Sequence, residues 1–324
     1  MDISRTLDTL LDRTIALGYG NVGLVARRRL PGWPADPPRM DGKVVLVTGA
    51  ASGLGLASAV GFARLGASLR ALARDEQRAA EAVASIGREV PGADVRPVAC
   101  DLSSLDALRE FTQRFKAVEA RLDVLVNNAG VMPDERERSA DAVELMFATH
   151  VLAPWVLIDE LGDLLRASAP SRVINVSSGG MYDQSIPEGD PQSEKDSYGP
   201  KKLYARTKRA QVVITEQWAD KLRGSGVVVH AMHPGWADTE GVRNWMPLFR
   251  ALTRPIIRTP EQGADTIVWL GGAPEPLEST GRFWHDRRTR PTHYLIGADE
   301  DPPQERAALW ETCARLAGKM TAAV

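Results

Sequence analysis

Tyr204 and Lys208 form the residue pair with the clearest catalytic potential in the sequence. They lie four residues apart, in YARTK, at the start of a helical pattern that continues to Leu222. On a helix this spacing places both side chains on one face, about one turn apart. A phenol with a pKa of about 10 transfers protons poorly at neutral pH, but a neighbouring ammonium stabilises its phenolate. Tyr204 is therefore a candidate acid or base.

A second tyrosine and lysine pair, Tyr198 and Lys202, has the same spacing. Pro200 lies between them and would interrupt a helix that began at Tyr198, whereas the pattern after Tyr204 is unbroken until Gly224. The sequence therefore favours Tyr204 and leaves Tyr198 as the alternative.

A glycine-rich turn near the start of the chain has the features of a phosphate site. KVVLVTGAASGLG, residues 43–55, joins a run of aliphatic residues to glycines at 49, 53 and 55 and then to a helical pattern. Such a turn lets backbone N–H groups at a helix N-terminus approach a pyrophosphate with no side chain in the way. Its glycine spacing, TGxxxGxG, differs from the GxGxxG fingerprint of dinucleotide-binding turns. The alternative to a phosphate site is therefore an ordinary turn between a strand and a helix.

Charged residues follow the next two strand patterns. Arg74 comes directly after residues 68–73, where an arginine can pair with the 2′-phosphate of NADP and an acidic residue would favour NAD. We therefore expect NADP(H), with NAD(H) and a solvated arginine as the alternatives. Asp101, after residues 94–99, either contacts the adenine or caps the next helix.

Strand and helix patterns alternate from residue 43 onward. Such alternation requires a parallel sheet covered on both faces, with ligands at the carboxyl ends of the strands. The prediction is an α/β, Rossmann-type doubly wound sheet in three layers, formed by one domain (41–290) with extensions at 1–40 and 291–324. Strands are predicted at 44–47, 68–73, 94–99, 123–126, 172–176, 227–231 and 282–284, and helices at 75–89, 105–121, 140–167, 204–222 and 304–319.

Composition argues against several functional classes. The 324 residues include 40 Lys plus Arg and 42 Asp plus Glu, a net charge of −2, so no basic field attracts nucleic acid. The two cysteines, Cys100 and Cys313, favour a reducing compartment and argue against a thiolate metal site. No apolar run approaches the roughly 18 residues of a membrane span. We expect a soluble, cytoplasmic protein without a metal.

Residues 1–40 differ from the rest of the chain. The helical spacing of apolar residues predicts an amphipathic helix, and an arginine run and a proline-rich linker follow it. Two interpretations stay open: weak contact of residues 1–30 with an anionic membrane surface, or an arm packed on the domain or on a second subunit. The apolar positions are Ile3, Leu7, Leu10, Leu11 and Ile15, and the arginines are Arg27, Arg28 and Arg29.

Five motifs in this order resemble the short-chain dehydrogenase/reductase (SDR) superfamily. They are TGAASGLG at 48–55, NNAG at 127–130, the serine pair at 177–178 that ends the fifth strand, YARTK at 204–208 and PGWADT at 234–239. One such motif would be modest evidence for a relationship, but five motifs in the same order over residues 41–272 are specific to this superfamily. VINVSSGGMY, QVVITEQWA and MHPGWADTEGVR further resemble one group of the superfamily, called member twelve of the dehydrogenase/reductase SDR family.

The resemblance implies hydride transfer between a nicotinamide and a carbonyl or secondary alcohol. Tyr204 would be the acid or base, Lys208 would bind the nicotinamide ribose and lower the pKa of Tyr204, and Ser178 would orient the carbonyl oxygen. The other implied cofactor contacts are Gly49, Ser52, Gly53, Leu54 and Gly55 at the pyrophosphate, Arg74 at the 2′-phosphate, Asp101 and Leu102 at the adenine, Asn128, Ala129 and Gly130 at the adenosine ribose, and Pro234, Gly235 and Thr239 at the nicotinamide.

One position departs from the superfamily pattern. Members commonly carry an asparagine on the helix after NNAG, which kinks the helix and anchors a water of the proton relay; here FATHVLAP places His150 at that position. An imidazole can donate and accept hydrogen bonds, and its reference pKa is about 6.5. His150 is therefore expected to serve the relay or to impair it, with a satisfied packing residue as the alternative.

The C-terminal part of the chain bears on substrate and assembly. Residues 236–259 are rich in large apolar side chains and resemble a substrate lid, which favours a bulky lipophilic carbonyl or alcohol over core or subunit contacts. The resemblance to the superfamily implies a retinoid, steroid or lipid as the substrate class, and the sequence alone does not choose among them. Residues 286–290 are predicted as a solvated turn and 183–203 as a surface loop beside the cleft. The lid positions are Trp245, Met246, Leu248, Phe249, Leu252, Ile256 and Ile257.

The resemblance also implies a homo-oligomer and a small-molecule substrate. A catalytically weak NADP(H)-binding sensor or scaffold is the alternative to an enzyme. The histidine at position 150 motivates that alternative, because the proton relay of the superfamily is altered there.

Overall fold

Eight strands form a single sheet in the part of the chain that the structure describes. This computed structural model describes residues 3–14, 18–245, 247–294, 298 and 300–319. The strands are β1 (Val44–Thr48), β2 (Ser68–Ala73), β3 (Val95–Ala99), β4 (Val124–Asn127), β5 (Ser171–Val176), β6 (Val227–Met232), β7 (Phe283–His285) and β8 (Arg288–Arg290). Their order is β3-β2-β1-β4-β5-β6-β7-β8, parallel from β3 to β7, with β8 antiparallel to β7. The order reverses between β1 and β4, which opens a crevice at their carboxyl ends.

Helices cover both faces of this sheet. They are α1 (Ile3–Arg13), α2 (Asn21–Arg28), α3 (Gly53–Arg64), α4 (Glu76–Glu89), α5 (Leu105–Val118), α6 (Leu145–Phe147), α7 (Ala153–Glu160), α8 (Gly162–Ala167), α9 (Pro200–Lys221), α10 (Glu240–Trp245), α11 (Pro247–Thr253), α12 (Pro260–Gly272) and α13 (Pro303–Leu316). One apolar core lies between the sheet and α3, α4 and α12, and another between the sheet and α5, α7, α9 and α13. A π-helical turn, Ala148–Leu152, joins α6 to α7. The predicted three-layer α/β fold is confirmed.

Two predicted helix boundaries shift, and both shifts affect the site. The helix predicted from residue 140 begins at Leu145, after a loop in which Ala142 has a φ of 59°. α9 begins earlier than predicted, at Pro200. Proline suits the first position of a helix, because the N–H that it lacks has no partner there. Tyr198 therefore lies outside the helix, as the sequence argument required.

The segment predicted as a solvated turn is buried, so that prediction is wrong. Asp286, between β7 and β8, is 1% exposed, and Arg287 and Arg290 are also buried. The Asp286 carboxylate accepts hydrogen bonds from Arg258 at 2.6 and 2.9 Å and from Arg27 at 2.6 Å. Burial alone would raise the pKa of Asp286, but these guanidinium groups hold it below its usual value. The run of charges therefore forms a buried ionic cluster.

The N-terminal arm packs on this cluster. Asp8 of α1 pairs with Arg27 at 2.9 Å and with Arg290 at 2.9 Å. Arg27 is fully buried, and Arg28 pairs with Asp265 at 2.7 Å. The structure shows the arm packed on its own domain, one of the interpretations left open by the sequence, while contact with a membrane surface stays a prediction. Within the described ranges, no helix is both long enough and apolar enough to cross a membrane.

The C-terminal helix packs in the helical layer that contains α9. α13 fully buries Leu309 and Cys313. Residues 183–203 are tied to the C-terminal segment, since the backbone N–H of Ile186 donates to the Asp301 carboxylate at 2.8 Å. This loop is therefore anchored rather than free. Two apolar positions named from the sequence, Ile15 and Met246, lie outside the described residues, as do the side chains of Ile3 and Phe249.

Neutralising Asp286 should destabilise the fold far more than neutralising an exposed aspartate. We expect Asp286→Asn to lower the free energy of unfolding by about 3–5 kcal/mol, because two guanidinium groups remain buried without their counter-charge. Asp220→Asn is the control, since this carboxylate is 71% exposed in its pair with Arg223, and should cost less than about 1 kcal/mol. Urea unfolding of both variants measures the difference. Equal losses would contradict a structural role for the buried cluster.

Candidate active site

The glycine turn after β1 is shaped for the close approach of a ligand. Gly49 and Gly53 have φ values of 68° and 53°, in the left-handed region that favours glycine. A Cβ on Gly55 would lie 2.1 Å from the carbonyl oxygen of Gly49, so no side chain fits there. Ser52 precedes α3 without a side-chain cap, and the first turn of α3 carries no acidic residue. The backbone N–H groups at the start of α3 are therefore suited to an anion.

Thr48, which the sequence argument did not single out, ties this turn to the end of β4. Its hydroxyl accepts hydrogen bonds from the backbone N–H groups of Asn128 at 2.9 Å and Ala129 at 3.0 Å. The Asn128 amide donates to the Thr48 carbonyl oxygen at 3.0 Å. A Cβ on Gly49 would lie 3.0 Å from the Cα of Ala129. These hydrogen bonds hold the ends of β1 and β4 side by side. In the sequence, the only indication of this contact is that a threonine directly precedes the glycine turn.

Two arginines line the cleft beyond β2. The Arg74 side chain is 75% exposed, and its Nε lies 3.9 Å from the Asp75 carboxylate. Asp75 instead caps α4, where it accepts a hydrogen bond from the backbone N–H of Arg78 at 2.8 Å. Arg78 also lines the cleft and was missed in the sequence, although it lies only one turn into α4. A cationic pair therefore borders the region predicted for the 2′-phosphate.

Asp101 and Leu102 lie after β3, in the wall of the same cleft. The Asp101 carboxylate accepts hydrogen bonds from the Ser103 backbone N–H at 2.9 Å and from its hydroxyl at 2.7 Å. The side chain that caps α5 is Ser104. The alternative that Asp101 caps this helix is therefore wrong, and its contact with an adenine stays a prediction.

The loop after β6 approaches the glycine turn. Gly235 has a φ of 72°, and a Cβ there would lie 2.5 Å from the carbonyl oxygen of Tyr19. Thr239 lies against the turn, since a Cβ on Gly53 would come within 3.3 Å of the Thr239 Cβ. Pro234 lines the same cleft. The structure therefore brings this loop beside the turn, although the two are far apart in sequence.

Tyr204 and Lys208 meet at the carboxyl end of β5. Lys208 is 3% exposed, and its ammonium donates a hydrogen bond to the Val176 carbonyl oxygen at 2.8 Å. The same nitrogen lies 5.6 Å from the centre of the Tyr204 ring. The ring itself is half-buried and lines the cleft. The predicted pair is therefore brought together on one face of α9.

The two serines that end β5 have different contacts. Ser177 is buried, and its hydroxyl donates to the backbone carbonyl oxygen of Lys208 at 2.8 Å. The Ser178 hydroxyl accepts a hydrogen bond from the backbone N–H of Gly180 at 3.2 Å, and its interaction with the Tyr204 side chain acts to lower the pKa of that tyrosine. Ser178 is therefore the serine of the pair that accompanies Tyr204.

The pKa values of this pair differ from the expectation. Burial raises the pKa of Tyr204 to about 12, against a lowering effect of the Ser178 hydrogen bond. Burial lowers the pKa of Lys208 to about 7. In the protein alone, the expected lowering of the Tyr204 pKa is therefore not found. At neutral pH Tyr204 is a protonated donor, and burial makes Lys208 lose its proton more readily than an exposed lysine does.

The alternative pair is held away from the cleft. The Tyr198 hydroxyl donates to the Pro133 carbonyl oxygen at 2.6 Å, and the Arg136 guanidinium lies 5.4 Å from the centre of its ring. Lys202 pairs with Asp196 at 2.9 Å. Neither Tyr198 nor Lys202 lines the cleft.

His150 is buried within the π-helical turn. Its Nε2 accepts a hydrogen bond from the backbone N–H of Val131 at 2.9 Å, which assigns the ring proton to Nδ1, bonded to the Thr207 hydroxyl at 2.8 Å. Thr207 in turn donates to the backbone carbonyl oxygen of Tyr204 at 2.9 Å. Burial, reinforced by the charge of Lys208, lowers the pKa of His150 well below its usual value. The imidazole is therefore neutral, with both nitrogens bonded.

These elements enclose a cleft of about 1810 Å³. Sites for single drug-sized ligands occupy about 300–1,000 Å³, so this cleft has room for a dinucleotide and a second molecule. The predicted site residues that line it are Gly49, Ser52, Gly53, Leu54, Arg74, Asp101, Leu102, Asn128, Ala129, Gly130, Ser178, Tyr204, Lys208, Pro234, Gly235 and Thr239; Gly55 and His150 support it from behind.

The N-terminal arm supplies a wall of the cleft that the sequence did not predict. Asp8, Asp12 and Tyr19 line it, and the Tyr19 ring packs 4.5 Å from that of His233. Asp12 also accepts a hydrogen bond from the Tyr294 hydroxyl. The arm is therefore part of the site.

The predicted lid contributes less than its composition suggests. Within residues 236–259, Val242 and Trp245 line the cleft. Leu248 and Leu252 are instead 72% and 74% exposed. The expectation that these two leucines contact substrate is not met in this conformation, because the apolar edge of α11 faces solvent.

Comparison with known proteins agrees with this geometry. The short chain dehydrogenase family profile matches residues 43–247. Dehydrogenase/reductase SDR family member 12 of Bos taurus is 39% identical over 86% of this chain and 87% of its own length, and human retinol dehydrogenase 14 is 36% identical over 78% and 80%. The structure of Pseudomonas aeruginosa RhlG with NADP aligns with a TM-score of 0.62 and 27% identity, over 76% of this chain and 94% of that one. The chain therefore belongs to the short-chain dehydrogenase family and is an oxidoreductase that acts on CH–OH and C=O groups.

Proposed function

We propose that this oxidoreductase uses NADP(H) to interconvert a bulky, lipophilic carbonyl compound and its secondary alcohol. The observation that carries the proposal is the meeting of Ser178, Tyr204 and Lys208 in one cleft with an anion-binding turn and a cationic pair. The turn supports dinucleotide binding, and the tyrosine in the same cleft supports proton transfer.

Each residue of the trio has a distinct task in reduction. Tyr204 donates its hydroxyl proton to the carbonyl oxygen, and Ser178 donates a hydrogen bond that orients the same oxygen. A nicotinamide cofactor held in this cleft would supply the hydride that reduces the carbonyl carbon. In its charged form, Lys208 stabilises the phenolate that remains. Oxidation of the alcohol reverses these steps, with Tyr204 as the base.

Three observations support NADP(H) over NAD(H). Arg74 and Arg78 line the cleft after β2, where two guanidinium groups suit a 2′-phosphate. The Asp75 carboxylate, which would otherwise suit a ribose diol, is engaged in the cap of α4. The similar RhlG structure holds NADP.

The wall beside Tyr204 supports a lipophilic substrate. Met132 is buried there in an apolar cluster against which Tyr204 and Trp245 pack. Leu145 and Val242 add further apolar surface to the cleft. Among the relatives, retinol dehydrogenase 14 is named for a lipophilic alcohol. An apolar body placed on this wall would bring a carbonyl group to Tyr204.

We also propose that His150 takes the place of the relay asparagine as a positioning residue. It bonds to Val131 on one side and, through Thr207, to the backbone of Tyr204 on the other. Because the imidazole is neutral and fully bonded, it holds the turn of α9 that bears Tyr204.

Removing the Tyr204 hydroxyl should abolish most of the turnover. We expect Tyr204→Phe to lower kcat about 10²–10⁴-fold, the range of general acid catalysis, with the Kd for NADPH changed less than about twofold. Tyr198→Phe is the matched control and should keep full activity. NADPH oxidation with a panel of hydrophobic ketones and aldehydes measures both. Tight NADPH binding without turnover on any member would instead favour a sensor or scaffold.

Loss of Arg74 should discriminate between the two cofactors. We expect Arg74→Ala to weaken NADPH binding about tenfold and NADH binding less than about twofold, because only the former carries the 2′-phosphate. Arg88→Ala, on the exposed far end of α4, is the control. Titration calorimetry of the wild type and both variants with NADPH and NADH gives the dissociation constants. Equal weakening of NADPH and NADH would contradict the assignment.

The positioning role of His150 can be separated from a titrating role. We expect His150→Ala and Thr207→Val each to lower kcat about tenfold, and the double variant to lose little more, because both cut one chain of hydrogen bonds. The pH profile between about 6 and 8 should keep its shape, since the lowered pKa leaves the imidazole neutral in this range. Unchanged turnover in His150→Ala and His150→Asn would refute the role.

A further inference from the structure

Exposed apolar side chains occur in pairs on three helices near the cleft. Leu7 and Leu10 lie on α1, Val22 and Val25 on α2, and Leu248 and Leu252 on α11, each pair spaced three or four residues apart. This spacing puts both members of a pair on one helix face. We call these six residues the apolar rim. Clustered exposed apolar residues of this kind mark a contact surface more often than scattered ones do.

The three helices adjoin one another and the cleft. Asp8 and Asp12 of α1 line the cleft, as does Trp245 at the end of α10, two residues before the start of α11. The backbone N–H of Asn21, the first residue of α2, donates to the carbonyl oxygen of Ile256, just beyond α11, at 2.7 Å. The apolar rim therefore lies on elements that adjoin the wall of the cleft.

The orientation of α1 is the reverse of that of an ordinary amphipathic helix. Its aspartates, Asp8 and Asp12, are 6% exposed and point toward the arginine cluster. Its leucines, Leu7 and Leu10, are 45% and 57% exposed. In water alone the apolar face of a surface helix packs inward. Ion pairs hold the polar face of α1 inward instead, which leaves the apolar face for a partner.

Exposed arginines accompany the apolar rim. Arg13 lies in the last turn of α1, Arg29 directly after α2 and Arg254 directly after α11. Among the described residues, no carboxylate pairs with any of the three. A two-fold contact between copies would set this cationic patch against itself, whereas leucine and valine beside arginine suit the interface of an anionic bilayer.

We propose that the apolar rim docks the opening of the cleft on an anionic lipid surface. The six side chains enter the boundary between headgroups and acyl chains, and the three arginines contact lipid phosphates and carboxylates. Docked in this way, the cleft opens toward the phase in which lipophilic molecules dissolve. The docking itself does not depend on the reaction, so its failure would leave the proposed function intact.

Vesicle flotation of the full chain tests the docking without any turnover. We expect binding to phosphatidylcholine vesicles that contain phosphatidylserine, and weaker binding at high salt. The combined variant Leu7→Gln, Leu10→Gln, Leu248→Gln and Leu252→Gln should bind at least about tenfold more weakly. Val118→Gln is the control, because Val118 is 74% exposed on α5, away from the apolar rim. NADPH binding checks that each variant is folded.

Two results would overturn the proposal. One is equal binding of the combined variant and the wild type to the anionic vesicles, or no binding by either. The other is a lipid-free oligomer of the wild type that the combined variant loses in sedimentation velocity, because the apolar rim would then be a contact between copies.

Discussion

Burial of the Lys208 ammonium without a carboxylate is the constraint on which the site depends. Among the described residues its acceptors are the Val176 carbonyl oxygen at 2.8 Å and the Gln211 side chain at 3.3 Å. Burying an ammonium costs on the order of several kcal/mol, and the lowered pKa of Lys208 expresses that cost. The position is maintained because Ser177 ties α9 to the end of β5. The result is an amine beside Tyr204 that loses its charge more readily than an exposed lysine does.

On the other side of the cleft, the buried charges are paired with opposite charges. There Asp286 is buried between Arg27 and Arg258, and Asp8 joins the same cluster from α1. Each charge has its partner, so the cluster fixes a segment from the start of the chain against a hairpin near its end. α1 consequently has two different surfaces: its polar face lines the cleft, and its apolar face is exposed.

Local sequence patterns were sufficient to predict the sheet and most of the residues of the site. Alternating strands and helices, glycines at positive φ and the Tyr204–Lys208 spacing all reflect contacts between near neighbours, which a sequence displays directly. Asp286 could not be predicted in this way, because Arg27 lies 259 residues away and a charged run normally lies in water. The inward aspartates of α1 depend on the same distant arginines. Arg78 was within reach of the sequence, since it follows the Asp75 cap by three residues.

The pH dependence of kcat/KM for one carbonyl and alcohol pair, measured in both directions, tests the role of Tyr204 most directly. Oxidation needs the phenolate and reduction needs the phenol. We therefore expect the oxidation rate to rise with pH by about tenfold per unit below the pKa of Tyr204, and the reduction rate to stay level over the same range. The same pH dependence in both directions, or its persistence in Tyr204→Phe, would contradict the assignment of Tyr204 as the group that transfers the proton.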